Sequence, residues 1–434
     1  MNLRERVLKG VAWSAGLSVA TQVATFITSL ALARILGKQV FGEWAIVQNT
    51  VGTIANIAQF SAAVTGTKFV AEFRHTNPQR IGTILGLCSV VTWTTATLAA
   101  TALLVAAPYV AEEVLHAPHL TFAVRVSVGY LFFLTVNGYQ IGALAGLEAF
   151  QRLAIVGVVS GVGTALMVVA SAWTQGLGGA LVALSVAAGA NWALHHVYLR
   201  RHCRSQGIAV RYDNLRSEVG VLTGFALPAT LSGLAGSAGI WLSNVALVRA
   251  ARGYEEMAVL SAGMSFRSVI LFAPSVFSRV SVPVLVNLFG NRDIEAYRRA
   301  FGRNLLVLSA SALLAALPIA VLAPWLLSAF GRGFSAGGGT VVALAAATVL
   351  EVAAMAVYQQ IFSSGWMWWG LSTVVVRSAI LVAVAVPLAR TLGALGVAYA
   401  YLAAYGGALV LTYFIVRTKM PSVFRNSPQG APHD

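Results

Sequence analysis

The chain is short of charge, of acid and of cysteine. Only 10% of its 434 residues are charged, against about 25% in an average soluble domain, which excludes one or two ordinary soluble domains. Its 14 Asp and Glu include no loop pair of the kind a metal-dependent transferase needs. Cys88 lies inside an apolar run and Cys203 in a basic stretch, so neither a disulfide framework nor a metal cluster is expected. There is no P-loop, so ATP does not drive the chain directly, and no Ser/His/Asp grouping emerges. Long aqueous loops are scarce too: none on the side opposite the termini much exceeds the stretch 108–119. An enzyme is therefore not expected, nor a cofactor.

What the chain does have is apolar length. It is 58% hydrophobic with a mean hydropathy of +0.78, which excludes disorder. Its apolar runs show no period-two alternation, which excludes an outer-membrane barrel. Runs long enough to span a bilayer fall at 11–36, 41–70, 81–107, 120–145, 153–173, 177–199, 219–247, 257–287, 304–330, 339–363, 368–391 and 393–417, each meeting the need for about 20 apolar residues. The expectation is an all-α, polytopic membrane protein with about twelve transmembrane helices. Arg4, Arg6 and Lys9 precede a run that continues to Leu36, too long for a signal-peptide core, so the first helix reads as retained.

The net charge of +15 would point to nucleic acid in a soluble protein. Here its position decides. With an even number of spans, both termini share a side, and nineteen of the 29 Lys and Arg fall there. Seven fall on the other side, and Arg267, Arg279 and Arg377 lie within spans. The positive-inside rule then makes both termini cytoplasmic, in a multi-pass protein with no nucleic-acid partner. The tail 421–434 is polar and contains proline, and is expected to be disordered.

The longest hydrophilic segment, 200–218, divides the chain. Residues 1–199 form an N-terminal six-helix lobe, 200–218 a basic cytoplasmic linker, 219–420 a C-terminal six-helix lobe, and 421–434 a flexible cytoplasmic tail. The lobes look duplicated and pseudo-symmetric. At an offset of 214, Leu8, Gly10, Ala12, Ala15, Leu17 and Ser18 meet Leu222, Gly224, Ala226, Ala229, Leu231 and Ser232. At 213, Phe41-x-Glu43-x-Ala45 meets Tyr254-x-Glu256-x-Ala258; at 214, Gly179-Ala180-Leu181 meets Gly393-Ala394-Leu395. Parallel six-helix repeats fit an alternating-access transporter with its site between the lobes.

Charges within the bilayer carry a penalty of roughly 3 kcal/mol or more, so they mark candidates. Arg267 and Arg377 fall near mid-depth, Arg34 and Arg125 in the outer third, Lys68 and Arg279 nearer the cytoplasm, and Glu351 is the one acid near mid-membrane. The excess of cations argues against paired structural bridges and for a hydrated cavity accepting an anion, because Arg binds phosphate bidentately. The offsets set Arg267 against Ile54, Arg377 against Gly163 and Glu351 against Asn137, so the charges break the symmetry of the scaffold. Bland readings stand beside this: Lys68 and Arg279 snorkel to the interface, Arg34 ends the first helix, and Glu351 is either a coupling acid or a structural partner of an arginine. Asn49, Asn56 and Gln59 form a polar stripe on the second span, bonding a neighbour or facing sugar in a cavity.

Other features read structurally. Gly82-x-x-x-Gly86, Gly142-x-x-x-Gly146 and Gly157-x-x-x-Gly161 allow close helix packing. Pro228, Pro274, Pro283, Pro318, Pro324 and Pro387 bend or break helices. Trp366, Trp368 and Trp369 form an aromatic belt, and His195 and His196 are interface histidines with no metal-binding neighbours.

The runs Leu8-Lys9-Gly10-Val11-Ala12-Trp13-Ser14, Leu32-Ala33-Arg34-Ile35-Leu36-Gly37 and Phe41-Gly42-Glu43-Trp44 resemble the start of bacterial polysaccharide transporters, the Wzx-type flippases of the multidrug/oligosaccharidyl-lipid/polysaccharide (MOP) exporter superfamily. Gly66-Thr67-Lys68-Phe69-Val70-Ala71-Glu72, Gly142-Ala143-Leu144-Ala145-Gly146 and Phe225-Ala226-Leu227-Pro228 are similar to later family segments. The resemblance implies two six-helix lobes and a cavity lined chiefly by the first, second, seventh and eighth helices. It also implies flipping of undecaprenyl-pyrophosphate-linked oligosaccharide across the bacterial inner membrane. Arg34, Arg267, Arg377, Arg125 and Lys68 would then hold pyrophosphate, and Asn49, Asn56 and Gln59 the sugars. Partners would be the lipid-linked oligosaccharide, membrane lipids and other polysaccharide-assembly proteins. The first helix lacks the cation-coupling acid common in drug-exporting relatives. An ion-coupled drug or small-molecule exporter remains the alternative, with a membrane glycan polymerase or ligase behind it.

Overall fold

The computed structural model describes residues 3–60, 62–74, 76–218, 220, 227–291, 293–331, 333–363 and 366–419. The tail 421–434, Phe225 and Ala226, and the side chains of Arg279 and Pro228 lie outside the described residues.

Among the described residues, thirteen α-helices carry the fold: α1 (Leu3–Ala58), α2 (Ala62–Phe73), α3 (Pro78–Tyr109), α4 (Thr121–Val126), α5 (Val128–Gly146), α6 (Phe150–Ser205), α7 (Leu227–Val248), α8 (Gly253–Gly290), α9 (Ile294–Val321), α10 (Ala323–Ser328), α11 (Gly338–Ser363), α12 (Met367–Leu392) and α13 (Ala394–Lys419). Among the described residues, ten segments are long and apolar enough to cross a membrane. Two of them are double. At 1.5 Å per residue, the 56-residue α1 and α6 would each run about 84 Å if straight, far beyond a hydrocarbon core of about 30 Å. Each is instead folded at a glycine with positive φ, Gly37 (φ 77°) in α1 and Gly176 (φ 63°) in α6. Counting their limbs separately gives twelve crossings, and the protein is an all-α polytopic membrane protein.

The helices pack in two groups. In the first, α6 lies on α1 and α5, while α2 and α3 lie on α5. In the second, α13 lies on α11 and α12, α12 on α7, and α11 on α8 and α9. The seam between the groups is chiefly α1 against α7 and α8. The groups repeat one another at their last hairpin. Gly176 (φ 63°, ψ −147°) and Gly393 (φ 58°, ψ −133°) hold nearly the same left-handed conformation, in which a side chain would be strained. Three residues on, a Cβ at Gly179 would meet the Ser171 carbonyl and one at Gly396 the Leu388 carbonyl, each eight residues back. The repeat offset here is 217, so the hairpin equates Gly176 with Gly393, a correction of three residues to the match read from sequence.

Local chemistry shifts several expected boundaries. The second span breaks at 59–60, where Phe60 takes φ 45°, and resumes as α2. The ninth breaks at Leu322 before Pro324, which opens α10 because it needs no N–H partner. By contrast, α8 runs through Pro274 and Pro283, α9 through Pro318 and α12 through Pro387.

The glycine motifs divide three ways. Gly142 and Gly146 bring α5 against the Ala63 and Thr67 carbonyls of α2, as expected of close helix packing. Gly82 and Gly86 instead admit the linker: Ala209 and Arg211 lay their carbonyls on the two glycines, and Arg211 N donates to Gly82 O at 3.0 Å. Arg80 pins the same linker through both oxygens of the buried Glu218, at 2.8 and 3.1 Å. Gly157 and Gly161 line a cavity wall, where a Cβ at Gly161 would meet only Thr21 Cγ2 of α1, at 3.9 Å. Trp368 and Trp369 are exposed, with Lys419 5.3 Å over the Trp369 ring.

Candidate functional site

A cavity of about 1000 Å³ lies along the seam. Both limbs of α1 wall it with Thr21–Leu32 and Phe41–Asn49, α5 with Tyr130–Ile141, both limbs of α6, α7 with Ile240 and Asn244, α8 with Met257–Ser268, and α13 with Tyr401. The first, second, seventh and eighth spans expected to line it do so, and the fourth, fifth and sixth join them.

One end is closed. We call the end carrying residues 37–42, 110–120, 249–254 and 329–338 the far end, opposite the N-terminus. There Arg34 Nε donates to Ala329 O (2.6 Å), Lys38 meets Glu255 (3.5 Å), Tyr254 Oη donates to Leu115 O (2.7 Å), and Arg249 donates to the carbonyls of Val114 (3.0 Å) and Glu113. Gly42 lies against the Tyr254 carbonyl. Beneath these bonds, Phe26 and Phe41 of α1 interlock with Phe266 of α8 and with Phe330 and Phe334, ring centroids 5.4 to 6.5 Å apart. The largest apolar core runs across both groups at this end. Lower on the seam, Ser29 meets Ser265 (3.2 Å), Trp241 donates to Thr50 (3.0 Å) and Asn56 to Ser237 (3.4 Å).

Among the described lining residues no carboxylate occurs, and Arg267 is the one Lys or Arg. Arg267 is not free. Its Nη2 lies 2.6 Å from each oxygen of Glu351, its Nε 3.0 Å from Oε2, and Nη2 also donates to Tyr405 Oη at 3.1 Å. The expectation of cations without structural bridges fails at this position, because α11 delivers the one mid-membrane acid directly onto α8. Tyr405 then joins the second arginine: Arg377 sits 5.5 Å over its ring, at the α7–α12 contact beside Gly236. Tyr401 stacks on Tyr405 (6.2 Å, 24°) and reaches the cavity wall. Two guanidinium groups and one carboxylate leave this cluster one positive charge in excess.

The other sequence candidates lie elsewhere. Arg34 is exposed at the far end, bonded across the seam as above, and does not line the cavity. Arg125 is exposed on α4 at the same end. Lys68 is exposed on α2, 5.0 Å over Phe69, as a snorkelling lysine would be. Of the polar stripe, Asn49 lines the cavity, whereas Asn56 bonds Ser237 and Gln59 packs its amide on Gly138. The stripe shares a face, but the cavity ends at Asn49, about two turns short of Asn56.

Sequence reasoning missed the polar wall supplied by the first limb of α1 and by other helices: Gln22, Asn137, Ser160, Asn191 and Asn244. Asparagines inside apolar runs were the available signal. His195 is not an interface residue; it is buried in the wall, its Nδ1 2.9 Å from Asn191 O. His196 stacks on Trp192 (5.4 Å). Among the described residues no group of His, Cys, Asp and Glu is arranged to hold a metal ion.

Comparison with known proteins adds two findings. A family model described as polysaccharide biosynthesis protein matches residues 7–289. No curated protein matches the chain. Among solved structures, an inward-facing multidrug resistance MATE family transporter of the MOP superfamily superposes with a TM-score of 0.80 at 15% identity, over 94% of this chain and 96% of that one. An outward-facing MATE transporter of the superfamily gives 0.69 at 15%, over 96% and 97%. A MOP superfamily transporter from Pyrococcus furiosus, described as having a binding pocket of reverse polarity, gives 0.71 at 14%, over 96% and 97%. At these identities the likeness is one of fold.

Proposed function

From the premise that the chain belongs to the polysaccharide biosynthesis protein family, we propose that it is a flippase for undecaprenyl-pyrophosphate-linked oligosaccharide: O-antigen, exopolysaccharide or a related glycan. It moves this lipid from the cytoplasmic to the periplasmic leaflet of a bacterial inner membrane. The fold it shares with MOP superfamily transporters supports carriage across a membrane, and the positive bias of the terminal side supports a periplasmic position for the closed far end.

The observation that carries the reading is the charge of the cavity. A cationic drug would meet no carboxylate among the described lining residues, and an uncompensated charge away from water costs several kcal/mol. The Arg267–Arg377 cluster, one positive charge in excess, suits the phosphates, while Asn49 faces the sugars and the polyprenyl chain stays in lipid. Rocking at the α1–α7/α8 seam would part the far-end bonds and expose the cavity to the other side. Outward movement of an anion gains about 2.3 kcal/mol per charge per 100 mV of inside-negative potential when the full field is crossed. Glu351 does not favour an ion-coupled drug exporter, because Arg267 occupies both its oxygens.

Deletion of the gene, rescue, and leaflet-resolved detection of lipid-linked glycan test the proposal. Glycan should accumulate on the cytoplasmic side in the deletion and be released by wild type but not by Arg267→Ala or Arg377→Ala at matched expression. An unchanged distribution in the deletion refutes the flippase reading.

A further inference from the structure

Four polar atoms in the cavity wall have no hydrogen-bond partner: Asn49 Oδ1 on α1, Ser160 Oγ and Asn191 Oδ1 on the two limbs of α6, and Asn244 Oδ1 on α7. Buried polar groups are nearly always paired, and each exception calls for a reason. Strain in one segment is not the reason here, since four separate helical limbs supply these atoms to one space. Asn244 is 4% exposed and lies three residues from Trp241, whose ring N–H donates to Thr50, the residue after Asn49. Trp44, Tyr130 and Phe133 line the same space. The charges, by contrast, are gathered at the Arg267–Glu351–Arg377 cluster, with Arg267 committed to Glu351.

We infer that this wall is a binding site for uncharged sugar, and that the glycan the protein carries is electrically neutral where it enters the cavity. A pyranose presents hydroxyl groups around its rim and C–H groups on its faces. Its hydroxyls donate to the asparagine oxygens, and its faces lie on the rings. A uronate or an ammonium sugar would leave water with no counter-charge on this wall. The inference rests on the flippase reading for the identity of the lipid anchor, and it adds the class of sugar and the residues that select it.

The test uses the full chain purified in detergent, with binding followed by titration calorimetry. Three probes of one length are titrated: tetra-N-acetylchitotetraose, which is neutral; chitotetraose, the same backbone bearing ammonium groups; and tetragalacturonate. The neutral tetramer should bind at least about tenfold more tightly than either charged one, and Asn244→Leu and Asn191→Leu should each weaken it by about tenfold. Both variants should also unfold at higher temperature than wild type when empty, because an unpaired buried amide is gone; a purely structural asparagine would give the opposite. Ser160→Ala, the mildest change, keeps the test alive if either leucine variant fails to fold. Equal or tighter binding of a charged tetramer, unaltered affinity in the variants, or no binding of any tetramer overturns the inference. Sugar binding without any change of leaflet distribution overturns the flippase reading alone, and glycan redistribution without preference for the neutral tetramer overturns the sugar site alone.

Discussion

Replacing Glu351 by Gln tests the electrostatic centre of the second helix group most directly. The carboxylate accepts three contacts of 2.6, 2.6 and 3.0 Å from Arg267, and the two side chains are 20% and 18% exposed. Without it, Arg267 keeps only the Tyr405 hydroxyl among these partners, while a second guanidinium, Arg377, lies across the same ring. Breaking a buried pair by removing one member costs about 3–5 kcal/mol, whereas replacing both by apolar residues is often neutral or stabilising. Glu351→Gln and Arg267→Met should therefore each destabilise by about 3–5 kcal/mol, and Arg267→Met with Glu351→Leu by far less than their sum. Unfolding in mixed detergent micelles, followed by tryptophan fluorescence, measures the cycle. The double variant should be folded yet fail to rescue glycan flipping, which separates the stability of the site from its use. Additive losses in the double variant would refute the reading of the pair as a self-contained neutral unit.

Three further outcomes are expected. Gly42→Ala sets a methyl group on the Tyr254 carbonyl and should hold the far end apart; a cysteine placed at Ser261 should then react several-fold faster with a membrane-impermeant maleimide added from that side, and unchanged labelling counts against the far end as the closed gate. Lys38→Ala removes an ion pair whose side chains are 21% and 41% exposed, so stability should move by less than about 1 kcal/mol; a larger loss in the micelle assay contradicts this. Gly82→Leu should displace the linker that rests on it and speed tryptic cleavage after Arg211 and Arg216, whereas a glycine serving helix packing would leave the cleavage rate unchanged.

The spans were legible because a helix in lipid must be apolar over its full length, a signal independent of packing. Even the Gly37 fold in α1 lies in the short gap between the runs 11–36 and 41–70. The site was less legible. Arg267 and Glu351 are separated by 84 residues, and nothing local indicates that α11 places one on the other, so two isolated intramembrane charges looked like an unpaired surplus. Asn56 and Gln59 were assigned with Asn49 because helical spacing fixes a face; depth along that face depends on where α7 crosses, and that is a tertiary fact. The partnerless asparagines of α6 and α7 have no spacing signal at all, since each comes from a different limb.

The places where the repeat fails bear on transport. The hairpin glycines at 176 and 393 keep one conformation in both halves, so the shared backbone frame survives. The matched acids do not keep one role: Glu256 Oε2 accepts from Ala394 N at 2.8 Å and caps α13, while Glu43 Oε1 lies 3.0 Å from His119 Nε2 at the far end. Likewise the cation cluster belongs to the second group, and three of the four unpaired wall atoms come from the first. A symmetric pair of lobes could rock but would present the same surface to both ends of a substrate. With charge on one side of the seam and neutral amides on the other, an amphipathic molecule with a phosphorylated end and a sugar end has one preferred orientation in the cavity. That orientation is what a carrier needs if the lipid tail is to remain in the bilayer while the polar part crosses.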